Sequence, residues 1–125
     1  MSERDLIESI NVFAAEVASQ AKAKGWTHGD APYSFLPEDC ANLHGEISEL
    51  WEAYRRKELG VPCDKAPAMA AAGIEPLTCA EEELADIVLR ALHTAQKLKI
   101  NIGMAVLMKH RFNATRPYRH GGKQA

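Results

Sequence analysis

Cysteine is scarce in this chain of 125 residues: Cys40, Cys63 and Cys79 are widely spaced, odd in number, and form no CxxC pair. That pattern points to reduced thiols rather than a disulfide framework. A zinc site on Cys40 and His44 lacks third and fourth ligands at a plausible spacing. An excess of one charge is missing too. The formal net charge is −2, so bulk electrostatics gives no reason to expect a nucleic-acid partner. No run approaches the roughly 20 apolar residues of a membrane span. The opening MSERDLIESI lacks the apolar core of a signal peptide. The expectation is a cytoplasmic chain that does not engage a membrane. No stretch alternates like a strand, and no repeat recurs at solenoid period. No histidine follows a glutamate by three residues, which sets aside the Glu-x-x-His ligands of di-iron bundles.

What is present reads as one all-α domain spanning residues 1–125. The composition, 46% hydrophobic and 26% charged, is ordinary for a globular protein. A chain of this length buries about two-thirds of the surface its unfolded form exposes. Leu6, Ile10, Phe13, Ala14, Val17 and Ala21 trace a helical stripe, opened by the capping pair Ser2 and Asp5 and closed by Gly25. Residues 26–37 are rich in turn formers. A second helix is predicted from about Pro37 to about Leu59. The Pro/Ala-rich stretch 60–77 reads as an irregular connection with a short helical turn at AMAAA, of a length that is often functional. Thr78 with Glu81 makes a capping box for a third long helix reaching about Lys99. A fourth runs from Ile102 to about Ala114, ended by Arg116-Pro117. Such a set of helices suits a bundle.

Within LHGEISELWEAYRR, residues 43–56, Glu46 and Glu49 stand three apart; within EELADIVLR, residues 82–90, Glu83 and Asp86 repeat the spacing. On the second helix the apolar stripe is Leu43, Ile47, Leu50, Trp51 and Tyr54. Glu46 lies about 40° from Leu50, with Glu49 outward of it. On the next long helix the stripe is Ala80, Leu84, Ile87, Val88, Ala91, Leu92, Ala95 and Leu98. Glu83 flanks it on the same-handed edge, with Asp86 beyond. Helices packed antiparallel by these stripes would bring four carboxylates together. Like charges so placed repel, and a cation offsets the repulsion. Donors that are all hard oxygens favour Mg²⁺ or Mn²⁺ over zinc. Glutamates at this spacing are also common on solvated helix faces, which is how Glu3, Glu8, Glu16, Glu52 and Glu58 read.

The last helix is expected to bury Met104, Leu107, Met108 and the stem of Arg111. Lys109, Asn113 and Arg116 fall on its other side, and Tyr118, Arg119 and Lys123 follow in a basic tail over about 115–125. Guanidinium and ammonium groups suit phosphate oxygens; the alternative is a solvated cationic end that complements the helix dipole. In the loop, Trp26 could stack on a nucleobase or simply close the bundle. His44, His93 and His110 read as surface or interface residues.

ExxE at 46–49, ExxD at 83–86, DIVLRALHTA at 86–95 and KHRFNATRPYRHGGK at 109–123 together resemble the MazG-type all-α nucleoside triphosphate pyrophosphohydrolases, and most closely their small MazG-like members. The likeness covers roughly residues 36–123. It implies Mg²⁺-dependent hydrolysis of (deoxy)nucleoside triphosphates to the monophosphate and pyrophosphate, on a four-to-five-helix bundle completed by oligomerisation as a homodimer or homotetramer. Carried over, the metal ligands would be Glu46, Glu49, Glu83 and Asp86. The substrate contacts would be Lys109, Asn113 and Arg116, with Tyr118, Arg119 and Lys123 beside them. Glu49, and after it Glu46, are the choices for taking a proton from the attacking water. The segment between the acidic motifs, residues 50–82, is longer than in compact members. A competing reading is a non-catalytic helical module that binds a nucleotide or a protein.

Overall fold

The computed structural model of the chain describes residues 1–26 and 33–118. It contains α1 (Glu3–Ala23), α2 (Leu36–Arg55), α3 (Ala66–Ala71), α4 (Cys79–Lys97) and α5 (Ile102–Thr115). Among the described residues the only β pairing is an isolated antiparallel bridge between Pro62 and Thr78, so the class is all-α as expected. Among the described residues no helix is long and apolar enough to cross a membrane.

The helix starts are written in local chemistry. Ser2 accepts from the backbone of Asp5, whose side chain returns the bond, and Thr78 and Glu81 do the same at α4, each pair satisfying two otherwise orphaned N–H groups. Asn101 accepts from Met104 N at 3.0 Å and caps α5. At the other end Arg116 is extended, with ψ 146°, as a residue before proline prefers.

Two helix ends differ from expectation. α2 stops at Arg55, short of Leu59, because Lys57 turns left-handed at φ 59° and Glu58 N donates to Ala53 O at 2.8 Å. α4 stops at Lys97 in the same manner, with Lys99 at φ 58° and Ile100 N donating to Ala95 O at 3.0 Å. Both closures have the hydrogen-bond plan of a glycine-type cap carried out by lysine. The connection from 59 to 80 is tied back on itself. Cys63 N donates to Leu77 O at 2.9 Å, Cys79 N to Val61 O at 2.9 Å and Ala80 N to Leu59 O at 3.0 Å. The short turn expected at AMAAA is α3.

α2 packs along α4, and α1 packs on α4 and α5. The pairing of Asp39 with Thr94 and Lys97, and of Glu46 with Arg90, makes α2 and α4 antiparallel. The face that α2 turns inward is only partly the apolar stripe, of which Leu43 and Leu50 are half-buried. Its buried positions are Asp39, Glu46 and Ala53, seven residues apart, while Ile47, Trp51 and Tyr54 stay 53%, 57% and 57% exposed. On α4, Leu84 and Val88 are likewise about half exposed. The expected orientation therefore holds only in part: Leu43, Leu50, Ile87, Leu92 and Leu98 are half-buried and Ala95 is in the core, but Glu46 also faces between the helices while Ile47, Trp51, Tyr54, Leu84 and Val88 face out. Burial is possible because Asp39 and Glu46 find cationic partners across the interface. The apolar residues in the core are small, namely Ala14, Ala21, Ala53, Cys63, Ala66 and Ala95, and no described large side chain is fully buried.

α5 also turns differently from expectation. Leu107 is half-buried as expected, but Met104 and Met108 are exposed and Arg111 reaches out to Glu3 at 3.3 Å, whereas Gly103 is buried. Gly103 lies against the backbone of α1: a Cβ there would collide with the carbonyl oxygen of Ile7 and lie 3.0 Å from its Cα. Asn11 seals this crossing, accepting from Gly103 N at 2.8 Å and donating to Asn101 Oδ1 at 2.8 Å. Gly103→Ala therefore lowers stability by about 1–3 kcal/mol, the cost of overpacking a rigid contact. A urea denaturation midpoint equal to the wild type would contradict this close approach.

Candidate metal centre and its two cavities

α2 presents Glu46 and Glu49 one turn apart, and α4 presents Glu83 and Asp86 one turn apart, with Glu82 beside them. The antiparallel crossing brings ligand oxygens of Glu46, Glu49 and Glu83 within 4.8 Å of one another, and those of Glu82, Glu83 and Asp86 likewise. Glu83 belongs to both groups. Glu82 escaped the i, i+3 template, although its i, i+4 spacing to Asp86 also places the two on one face. No described cysteine or histidine joins either group.

Glu46 is only 8% exposed. Its Oε1 accepts from Arg90 Nε at 2.9 Å, a contact that helical periodicity alone could not supply. Its Oε2, and Oε2 of Glu83, are buried without a hydrogen-bond partner. Unpartnered buried carboxylate oxygens are costly, and an inward-facing set of them matches the donors that a hard divalent cation takes.

The electrostatics agree. Burial pushes the Glu83 carboxyl up to about 8, helped by Glu49, which is close enough to share a proton, and by the charges of Glu46 and Glu82. Burial also raises Asp86, with Glu46 and Glu82 adding to the rise while Lys65 and Arg90 oppose it. Between an ordinary 4.5 and about 8 the folded state holds a proton on Glu83 that the unfolded chain has released. Its contribution is fully present below the lower value and is lost as pH rises through the upper one. The metal-free protein should then melt roughly 5 °C or more lower at pH 9 than at pH 6. Mg²⁺ at pH 9 should restore much of the difference, and Glu83→Gln should flatten the profile. Thermal melts that do not vary with pH in the wild type would contradict this crowding of charge.

The carboxylates stand between two cavities. One, of about 630 Å³, opens on Glu49 and Glu83 and is walled by the end of α2, the 62–65 segment and the first turns of α4. The other, of about 610 Å³, opens on Asp86 and is lined by Asn42, Arg90 and His93, with Trp26 at its edge. An ion pair also lines it: Lys97 Nζ stands 2.9 and 2.7 Å from the two oxygens of Asp39. Thr94 Oγ1 donates to Asp39 at 2.7 Å, and the Phe35 ring lies 4.7 Å from the ammonium.

The basic edge of α5 stands elsewhere. Lys109 and Asn113 line a third cavity with Val106 and His110, and Lys109 lies over the Phe112 ring at 5.1 Å. Arg116 and Tyr118 are exposed. α5 makes no packing contact with α2, and none of these four residues lines either cavity that reaches the carboxylates. Arg119 and Lys123 lie outside the described residues.

No protein-family profile, curated protein or solved structure matches the chain.

Proposed function

We propose that the chain is a MazG-like pyrophosphohydrolase that cleaves (deoxy)nucleoside triphosphates to the monophosphate and pyrophosphate with Mg²⁺, or Mn²⁺ in its place. One observation carries the reading: buried, unpartnered oxygens of Glu46 and Glu83 meet Glu49 between two cavities of nucleotide size. Glu46, Glu49, Glu83 and Asp86 would hold the ion, with Glu82 beside them. A divalent cation there supplies charge neutralisation for phosphate oxygens and makes a bound water more acidic.

The chain's own groups do the rest. Arg90 fixes the Glu46 carboxylate and balances part of its charge. Glu49 is the most exposed of the clustered glutamates, so it is the one placed to take a proton from water. Hydrolysis adds water across the α–β anhydride. The oxygen of water bonds to the α-phosphorus, the bond to the bridging oxygen breaks, pyrophosphate leaves with that electron pair, and a water proton passes to Glu49. Trp26 offers a ring for the base at the far edge of the second cavity.

A second copy of the chain belongs to this reading. The exposed Ile47, Trp51 and Tyr54 of α2, Leu84 and Val88 of α4, and Met104, Val106 and Phe112 of α5 are apolar surface that a partner chain would cover. Covering one of these faces makes a homodimer; covering both makes a homotetramer. Lys109, Asn113 and Arg116 reach a triphosphate only if that association carries them to a neighbouring site.

The test is a panel of (d)NTPs assayed for pyrophosphate with and without Mg²⁺. Metal-dependent release from at least one nucleotide is expected. Tight Mg²⁺–nucleotide binding with no product would instead make the chain a binding module.

A further inference from the structure

We propose that Lys65 and Arg56 bind the pyrophosphate end of the substrate. A nucleotide then lies across the carboxylates with its base toward Trp26 and its terminal phosphates toward the 59–80 connection. The inference rests on the hydrolase reading above. The acids form a partition: Glu49 and Glu83 open on one cavity and Asp86 on the other. A substrate whose α-phosphorus sits at the partition must place its nucleoside on one side and its β- and γ-phosphates on the other.

The two cavities differ in what they offer. The one at Asp86 holds an aromatic ring, and its cations are engaged: Arg90 with Glu46 at 2.9 Å and Lys97 with Asp39 at 2.7 Å. The one at Glu49 and Glu83 has no aromatic lining, but Arg56 and Lys65 both face it. Their side chains are 68% and 64% exposed. Among the described residues Arg56 pairs only with Glu52, at a long 3.9 Å. Lys65 Nζ lies 3.1 Å from Glu82 Oε2 and 3.4 Å from Asp64, beside the carboxylates that would hold the ion. With a divalent cation held by Glu82 and Glu83, the Lys65 ammonium would be free to turn to phosphate oxygens. Lys65 is not a loosely placed surface lysine, because the bridge from Pro62 to Thr78 and the start of α3 hold its backbone on either side. A guanidinium fork and a point-charge ammonium are the pair that phosphate oxygens prefer. Six carboxylates also line this cavity, so pyrophosphate enters with its divalent cation rather than alone.

The experiment compares calorimetric binding of Mg²⁺–pyrophosphate and of a nucleoside monophosphate to the wild type, Lys65→Ala, Lys65→Arg and Arg56→Ala. Lys65→Ala and Arg56→Ala should each weaken pyrophosphate about tenfold or more, as loss of a charge-assisted contact does. Monophosphate binding should stay within about twofold, and Lys65→Arg should keep most of the pyrophosphate affinity. If the wild type hydrolyses nucleotides while both alanine variants hold pyrophosphate unchanged, the assignment fails and the hydrolase reading stands. Equal losses for pyrophosphate and monophosphate would overturn the orientation. A wild type that binds neither ligand and hydrolyses nothing would overturn both.

Discussion

Glu49→Gln should lower pyrophosphate release by about 10²–10⁴-fold, the range for loss of a positioned proton acceptor, while the melting temperature holds or rises. The opposed signs come from one geometry. Glu49 crowds Glu46 and Glu83 within 4.8 Å and is among the causes that raise the Glu83 carboxyl. A neutral amide of the same shape relieves that repulsion in the empty site and removes a ligand and base from the loaded one. Asp86→Asn should behave alike, since Asp86 is also raised by its acidic neighbours. Circular dichroism and an assay on the same preparation read both signs at once. A variant that unfolds would show that these acids serve the fold, and one that turns over normally would remove Glu49 from the chemistry.

Lys97→Met should cost about 3–5 kcal/mol, the range for removing one member of a buried ion pair. Lys97 is 16% exposed and Asp39 9%, with the ammonium against both carboxylate oxygens. Without it the Asp39 carboxylate stays between α2 and α4 and loses the ammonium that meets both its oxygens. For a single domain whose whole stability is of order 5–15 kcal/mol, such a loss brings the chain near unfolding. The double variant Asp39→Asn/Lys97→Met should recover part of it, because the negative charge between the helices is then removed together with its ammonium. Urea unfolding reads the difference. A cost under about 1 kcal/mol for Lys97→Met alone would mean that the pair contributes little to the packing of α2 on α4.

Much of this architecture is legible in local sequence. Ser2 with Asp5, Thr78 with Glu81 and the Arg116-Pro117 step mark helix boundaries because capping and proline sterics act within a few residues. Lys57 and Lys99 hide two helix ends, since a left-handed closure by lysine carries no glycine to announce it. The i, i+3 spacing picked out Glu46, Glu49, Glu83 and Asp86 as residues of single helix faces, but it could not say which face turns inward. A wheel drawn on Ile47, Trp51 and Tyr54 expects the apolar stripe inside. The structure buries Asp39 and Glu46 instead, because Lys97 and Arg90 wait on the facing helix. Those partners lie far along the chain, as does the 59–80 connection that brings Lys65 to Glu82. The place of Lys109 and Asn113 depends on which helices touch, and periodicity within α5 carries no information on that.

A titration of the wild type, Glu46→Gln and Glu83→Gln with Mn²⁺ in the absence of nucleotide, read by the electron paramagnetic resonance signal of the free ion, asks whether these oxygens hold a metal. The wild type should deplete the free-ion signal, with both variants markedly weaker. Equal depletion by all three proteins, or none by the wild type, would show that the buried carboxylates meet for some reason other than a cation.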